Sequence, residues 1–137
     1  MAFNGYLLKV GSWTFPLNCI EVDTYDCTPN QRTDLDSTVT ATGELWRNVL
    51  PHTRTKVEFK TPPLSMAEQK TIMTNLRAAW VADGSELRRE CNVQYYDPET
   101  DTYKTGHCYT PDIQWQIKDV TASDIQYNRT RIAFIER

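Results

Sequence analysis

Chemistry in a chain of 137 residues has to come from its nucleophilic and metal-ligating side chains, and here these are few. Four cysteines (Cys19, Cys27, Cys91, Cys108) and two histidines (His52, His107) make up the whole thiol and imidazole supply. Structural zinc is normally announced by ligands about two to four residues apart. No C-x-x-C pair occurs, so no metal site is expected. His107 stands beside Cys108 without an evident third partner, whereas an activated nucleophile needs a base and a group to orient it. Asp23, Asp26, Asp34 and Asp36 lie in polar stretches, where a solvated surface is the ordinary reason for carboxylates, not a glycosidase-like pair. The run "DLDS" lacks the spacing and closing glutamate of a calcium loop. No G-x-S-x-G, P-loop or H-E-x-x-H is present. The sequon "NRT" at Asn128 carries no weight, because no secretory signal is expected. The expectation is a protein that is not an enzyme and carries no cofactor; a small hydrolase is the least supported class.

Composition narrows the classes further. Lys and Arg number 15 against 18 Asp and Glu, for a net charge of −3. The cations are scattered among acids, so no sequence-specific nucleic-acid surface is expected. No apolar run approaches the roughly 18 residues that span a membrane. The start "MAFNGYLLKVGSWTF" lacks a basic, then apolar, leader. Synthesis and assembly in a cytoplasm are therefore expected, with the cysteines as buried thiols more often than a disulfide frame. The length suits one domain over residues 1–137.

The elements that would position any site are mostly extended. "GYLLKV" alternates and reads as a strand; Gly11-Ser12 offers a turn, and Trp13 and Phe15 resume the pattern. "CIEVDTY" has strand character. Thr28–Ser37 is polar and without period, which predicts a loop. "TVTATGELWR" and "RTKVEFK" are expected to pair as a long hairpin; in the second, Val57 and Phe59 face inward and Lys56 and Glu58 outward. "DIQWQIK" alternates strictly and reads as a strand, "VTASDI" as a connection. "QYNRTRIAFIER" closes the chain as one strand, apolar on both faces and so expected to be covered on both sides.

Two segments are more specific. In "TPPLSMAEQKTIMTNLRAAWVADG", Pro62 and Pro63 end a ladder. Ser65 and Glu68 form a capping box. Ile72, Met73, Leu76, Ala79 and Trp80 make one apolar stripe, and Gly84 suits a left-handed C-terminal position. These signals predict one helix over about 66–82. "CNVQYYDPETDTYKTGHCY" predicts a hairpin with its loop at Pro98–Asp101. That loop sets Tyr96 opposite Tyr103 and Cys91 opposite Cys108, a facing thiol pair that is either reduced or bridged. Tyr95, Tyr96, Tyr103 and Tyr109 on this hairpin suit either an interface or cross-strand steadying.

The sum is a mainly β architecture: an antiparallel β-sandwich or small barrel with one flanking helix and a polar arm at about 28–47. Alone, the arm has little to bury, so Asn30, Asp34, Asp36, Thr38, Thr40 and Arg47 are candidates for contact with a second subunit, with Tyr96 and Tyr103 beside them.

The order of motifs resembles that of small tail-associated proteins in phages and prophages of Gram-positive bacteria. The matching pieces are "FKTPPLSMAE" (Phe59 to Glu68), "YDPET" (Tyr96 to Thr100) and "FIER" (Phe134 to Arg137), spread over about the last two thirds of the chain. The architecture is similar to that of phage tail-tube proteins, which assemble as hexameric rings whose inner sheets form a lumen. The resemblance implies a tail virion structural protein. It would self-assemble into stacked rings, in the tail tube or in a baseplate or hub ring, with other tail proteins as further partners. DNA would pass through the lumen without specific contacts. The alternative is a monomeric β-sandwich adaptor or receptor-binding accessory that uses the tyrosines as a ligand surface.

Overall fold

The computed structural model describes residues 3–32, 34–39, 41, 43–49 and 53–137, with the backbone alone described in 34–39 and 45–49. In chain order the elements are β1 (Leu8–Val10), β2 (Trp13–Thr14), two 3-10 turns (Leu17–Cys19 and Val22–Thr24), β3 (Asp26–Gln31), β4 (Asp34–Val39), β5 (Leu45–Val49), β6 (Arg54–Lys60) and β7 (Leu64–Ser65). They continue with α1 (Met66–Ala82), β8 (Glu90–Asp97), β9 (Thr102–Tyr109), β10 (Ile117–Val120), β11 (Ile125–Tyr127) and β12 (Arg131–Glu136). The strands form three sheets, ordered β2-β1-β8-β9-β12-β6-β3, β10-β11-β7 and β4-β5. All the pairings described are antiparallel. The fold is mainly β with one α-helix, as expected.

The seven-stranded sheet buries one face. Leu8 and Val10 of β1, Val93 and Tyr95 of β8, Val57 and Phe59 of β6, and Ile132 and Phe134 of β12 all point into one core. Register aligns these pairs: Val10 with Val93, Ile132 with Phe59, Phe134 with Val57. Helix α1 closes that face with Ile72, Leu76 and Trp80, and Met73 and Ala79 pack at its margin. Its bounds are those the sequence predicted. The capping box is present: Glu68 N donates to Ser65 Oγ (3.3 Å), and Ser65 N donates to Glu68 Oε1 (3.2 Å). Gly84 takes φ +74 just past the helix, and Ser85 N donates to Trp80 O. Replacing Ser65 with alanine removes one side of the box and is expected to cost about 0.5–2 kcal/mol, read as a fall in chemical-denaturation midpoint with an unchanged slope. The β1–β2 turn lies so close to the helix that a Cβ on Gly11 (φ +59) would sit 3.1 Å from Ala79 Cβ.

Several expectations are corrected. "TVTATGELWR" does not pair with β6: β4 pairs with β5, while β6 lies between β12 and β3. β12 brings Ile132 and Phe134 against Val57 and Phe59, a larger apolar gain than the Thr-rich segment offers. Thr28–Ser37 is not a loop; most of it is the end of β3 and the start of β4. A backbone ladder does not require apolar alternation, and Pro29 sits where the β3–β6 register shifts, a place that tolerates its missing N–H. "CIEVDTY" contains a 3-10 turn, not a strand. Thr24 Oγ1 donates to Glu21 O (2.6 Å) and accepts from Lys60 N (2.9 Å), and such local bonds compete with extension. "DIQWQIK" keeps its alternation in burial only as far as Trp115, with Ile113 and Trp115 half-buried on the core between exposed glutamines; Ile117 is exposed, and only the last two residues belong to a strand.

The C-terminal strand divides into β11 and β12 around Thr130. There Thr130 N donates to Thr61 Oγ1 (3.2 Å) and Thr61 N to Thr130 O (2.8 Å), both side chains buried. β12 is covered on its core face by Ile132 and Phe134, and Ala133 on the other face is buried as well, opposite Glu58.

Candidate assembly surfaces

The arm springs from a fixed root. Asn30 adopts φ +50 at the register shift between Thr28 and Gln31. Its N–H donates to Thr55 Oγ1 (3.1 Å), and its side-chain oxygen accepts from Thr53 Oγ1 (3.4 Å). Asn30 therefore pins β3 to β6. Beyond it, β4 and β5 form a two-stranded ladder with Thr38 opposite Trp46 and Ser37 opposite Arg47. Asp34, Asp36, Thr38 and Arg47 belong to this hairpin. Thr40 lies outside the described residues, as does His52.

The tyrosines divide between the two faces of the sheet. Tyr95 is buried in the core, its hydroxyl 3.0 Å from Thr55 Oγ1. Tyr96 and Tyr103 sit opposite each other on the other face, ring centroids 5.6 Å apart. Both hold the N-terminal segment: Phe3 packs edge-on against Tyr96, Tyr6 stacks on Tyr103 (4.6 Å), and Tyr103 Oη donates to Tyr6 O (2.6 Å). Asp97 closes this hairpin from inside. It is fully buried, accepts from Glu99 N (2.9 Å) and pairs with Lys104 Nζ (3.0 Å).

Burial by itself raises the Asp97 carboxyl, but the bonds from Lys104, the Glu99 amide and Thr100 outweigh it and hold the group below the usual carboxylate range. A depressed folded pKa contributes stability that is present above the unfolded value, about 3.9. That stability is lost as pH falls through the folded value. Asp97→Asn is expected to lower the melting temperature at pH 7, and the gap from wild type should close below about pH 4. Thermal melts across that range check it.

The register places Cys91 opposite Cys108, and all four cysteines are free thiols. Burial pushes Cys91 and Cys27 up to about 11 and Cys108 to about 12. Thiols so buried and so protonated are poor nucleophiles. In the native protein at pH 8, alkylation at these three is expected to be slow, and all four should label on unfolding; intact mass before and after denaturation checks it.

The open face of the large sheet is polar, with Asn92, Gln94, Thr105 and His107 on its central strands. Several of its charges are paired. Glu58 takes Arg131 Nε (3.0 Å) and Lys56 (3.6 Å), chiefly Arg131's hydrogen bonds holding its carboxyl down. Glu90 takes Arg137 (3.2 Å) and His107 (3.5 Å). Among the described residues no cluster of His, Cys, Asp and Glu is arranged to hold a metal, and no helix is long and apolar enough to cross a membrane. Sequence reasoning passed over one feature, the turn "SELRRE" after α1, where Leu87 is 98% exposed. A lone leucine among charges was the available signal.

The fold is shared over almost its whole length with chains of a phage-like particle. One is a chain in the tail of an empty GTA particle refined with C6 symmetry (15% identity, TM-score 0.52). Another is in the virion of a native gene transfer agent particle (14% identity, TM-score 0.53). Each match covers 99% of this chain and 95% of the other. No curated protein matches the sequence. The model of a family of unknown function, DUF6711, matches residues 1–137, and the chain belongs to that family.

Proposed function

We propose that this protein is a structural protein of a phage-like tail. It acts as one domain over residues 1–137 and self-assembles into hexameric rings that stack, in the tail tube or in a baseplate or hub ring. The observation that carries the reading is the shared fold, over 99% of the chain, with a component of a C6-symmetric tail. Its work is assembly in the virion tail after synthesis in a bacterial cytoplasm, with copies of itself and other tail proteins as partners. The physics of the surface supports this. A hairpin whose ladder is, among the described residues, internal is marginal by itself in water and gains by packing on a neighbour. Exposed sheet edges at β2, β3 and β10 are hazards unless another chain covers them. A sheet face on which Glu58 and Glu90 pair with Lys56, Arg131 and Arg137 would wall a channel with a reduced hold on passing DNA phosphates. The adaptor reading has less support, because three of the four tyrosines it would use, Tyr95, Tyr96 and Tyr103, are engaged with the core and the N-terminal segment.

Light scattering after size exclusion, with negative-stain imaging of the same fractions, tests this. Rings of six chains and short tubes are expected. A monomer at every concentration that never enters particles would sink the reading.

A further inference from the structure

The turn between α1 and β8 carries features that its local fold does not need. Leu87 at its apex is 98% exposed. Arg89 is held at φ +53, a conformation a non-glycine residue rarely adopts. Its guanidinium lies over the Trp80 ring at 5.0 Å, and its carbonyl accepts from Thr110 N. These restraints leave Leu87 standing at the rim of an open hollow of about 540 Å³, lined by Arg77, Trp80, Glu86, Leu87, Arg89 and Asp112. Arg77 and Arg88 make no ion pair among the described residues. Val81, also near the helix end, is 54% exposed. The surface is thus an apolar knob beside a hollow where Arg77, Arg88 and Arg89 outnumber Glu86 and Asp112 by one.

Strand sense says what can reach it. β3 is antiparallel to β6, β6 to β12, β12 to β9 and β9 to β8, so β3 and β8 run the same way. The β4–β5 hairpin follows the C-terminal end of β3; the Leu87 turn precedes the N-terminal end of β8. The two features leave opposite ends of the sheet, so within one chain the hairpin points away from the hollow. A head-to-tail stack of identical chains brings one copy's hairpin to the next copy's turn. The hairpin contributes Asp34 and Asp36 on its first strand and aliphatic Leu35, Val39, Leu45 and Val49, a composition that complements cations around an exposed leucine. We propose that the hollow at Leu87 is the seat for the β4–β5 hairpin of a second copy in the adjacent ring. This rests on the ring reading above and names its stacking contact.

A photo-crosslinking benzoylphenylalanine at position 87 tests the contact directly in the full-length protein. The expected product joins position 87 of one copy to the tryptic peptide 33–47 of another. Rings that stack while the cross-link lands elsewhere, or does not form, overturn the seat and leave the ring reading standing. In parallel, Leu87→Asp and Arg88→Glu, both at solvent-exposed positions, are expected to keep single rings and reduce stacked tubes about tenfold or more. Unchanged tubes refute the seat, and so does loss of the rings themselves, which would place the turn within a ring. A wild-type protein that stays monomeric removes the ring reading and this contact together.

Discussion

Excision of residues Asp34–Val49, with a short Gly-Ser join, is expected to abolish the stacking of rings into tubes and leave the fold intact. The hairpin's ladder is wholly internal: β4 pairs with β5, and neither joins the seven-stranded sheet. Removing it takes no strand from the core. The cut has to lie beyond Gln31. Gln31 still pairs with Arg54, and Asn30 donates to Thr55, so a deletion beginning at Asn30 would unseat the β3 edge and confuse misfolding with lost assembly. The excised protein should melt within a few degrees of the wild type and elute as single rings where the wild type forms stacked tubes. Stacked tubes from the excised chain would show that the hairpin is not the stacking contact. A melting temperature far below the wild type would show that the hairpin supports the core.

Trp80→Ala should be the most damaging single substitution in the helix. Trp80 is 1% exposed and the largest fully buried side chain. It anchors the end of α1 in the core shared with β1, β8 and β12, and it carries Arg89 on its ring. Truncation of a buried aromatic costs about 3–5 kcal/mol. In a domain of this size that is a fall in melting temperature on the order of 10–20 °C. Since stability of such domains is typically about 5–15 kcal/mol, the variant should be marginal at 37 °C. Val81→Ala, one residue on but 54% exposed, is the matched control and should stay within about 0.5 kcal/mol of wild type. Equal effects from the two would mean the helix does not pack through the Ile72–Leu76–Trp80 stripe.

Legibility followed locality. The helix was readable because every signal for it lies within the segment: two prolines before, Ser65 with Glu68 at the start, a 3.6-residue stripe, Gly84 after. The β8–β9 register was readable because a tight loop leaves one way to pair the flanking strands, so Cys91 meets Cys108 and Tyr96 meets Tyr103. β6 was readable as a strand but not in its partners. Its true neighbours start about 28 residues before it and 77 after it, at Asp26 and Arg131, and alternation in β6 says which face is buried without saying against what. The assembly surfaces were half legible. The arm stood out by its polarity, while its root at Asn30 and the Leu87 turn did not. The left-handed residues there contact Thr55 and Thr110, distant in sequence, and Trp80 in the preceding helix.

By itself, then, the sequence determined the class of the protein: mainly β, one capped helix over 66–82, one tight hairpin, and none of the ligand spacings that metal or nucleophilic chemistry uses. These follow from propensity, capping and short-range periodicity, whose hydrogen bonds close within a few residues. Tertiary structure alone decided which strands pair, that "CIEVDTY" turns and does not extend, that Tyr95 faces the core while Tyr96 and Tyr103 do not, and that Leu87 is left in solvent. Those outcomes depend on which apolar faces find each other across the whole chain, and burial is a property of the assembled core, not of any window along the sequence.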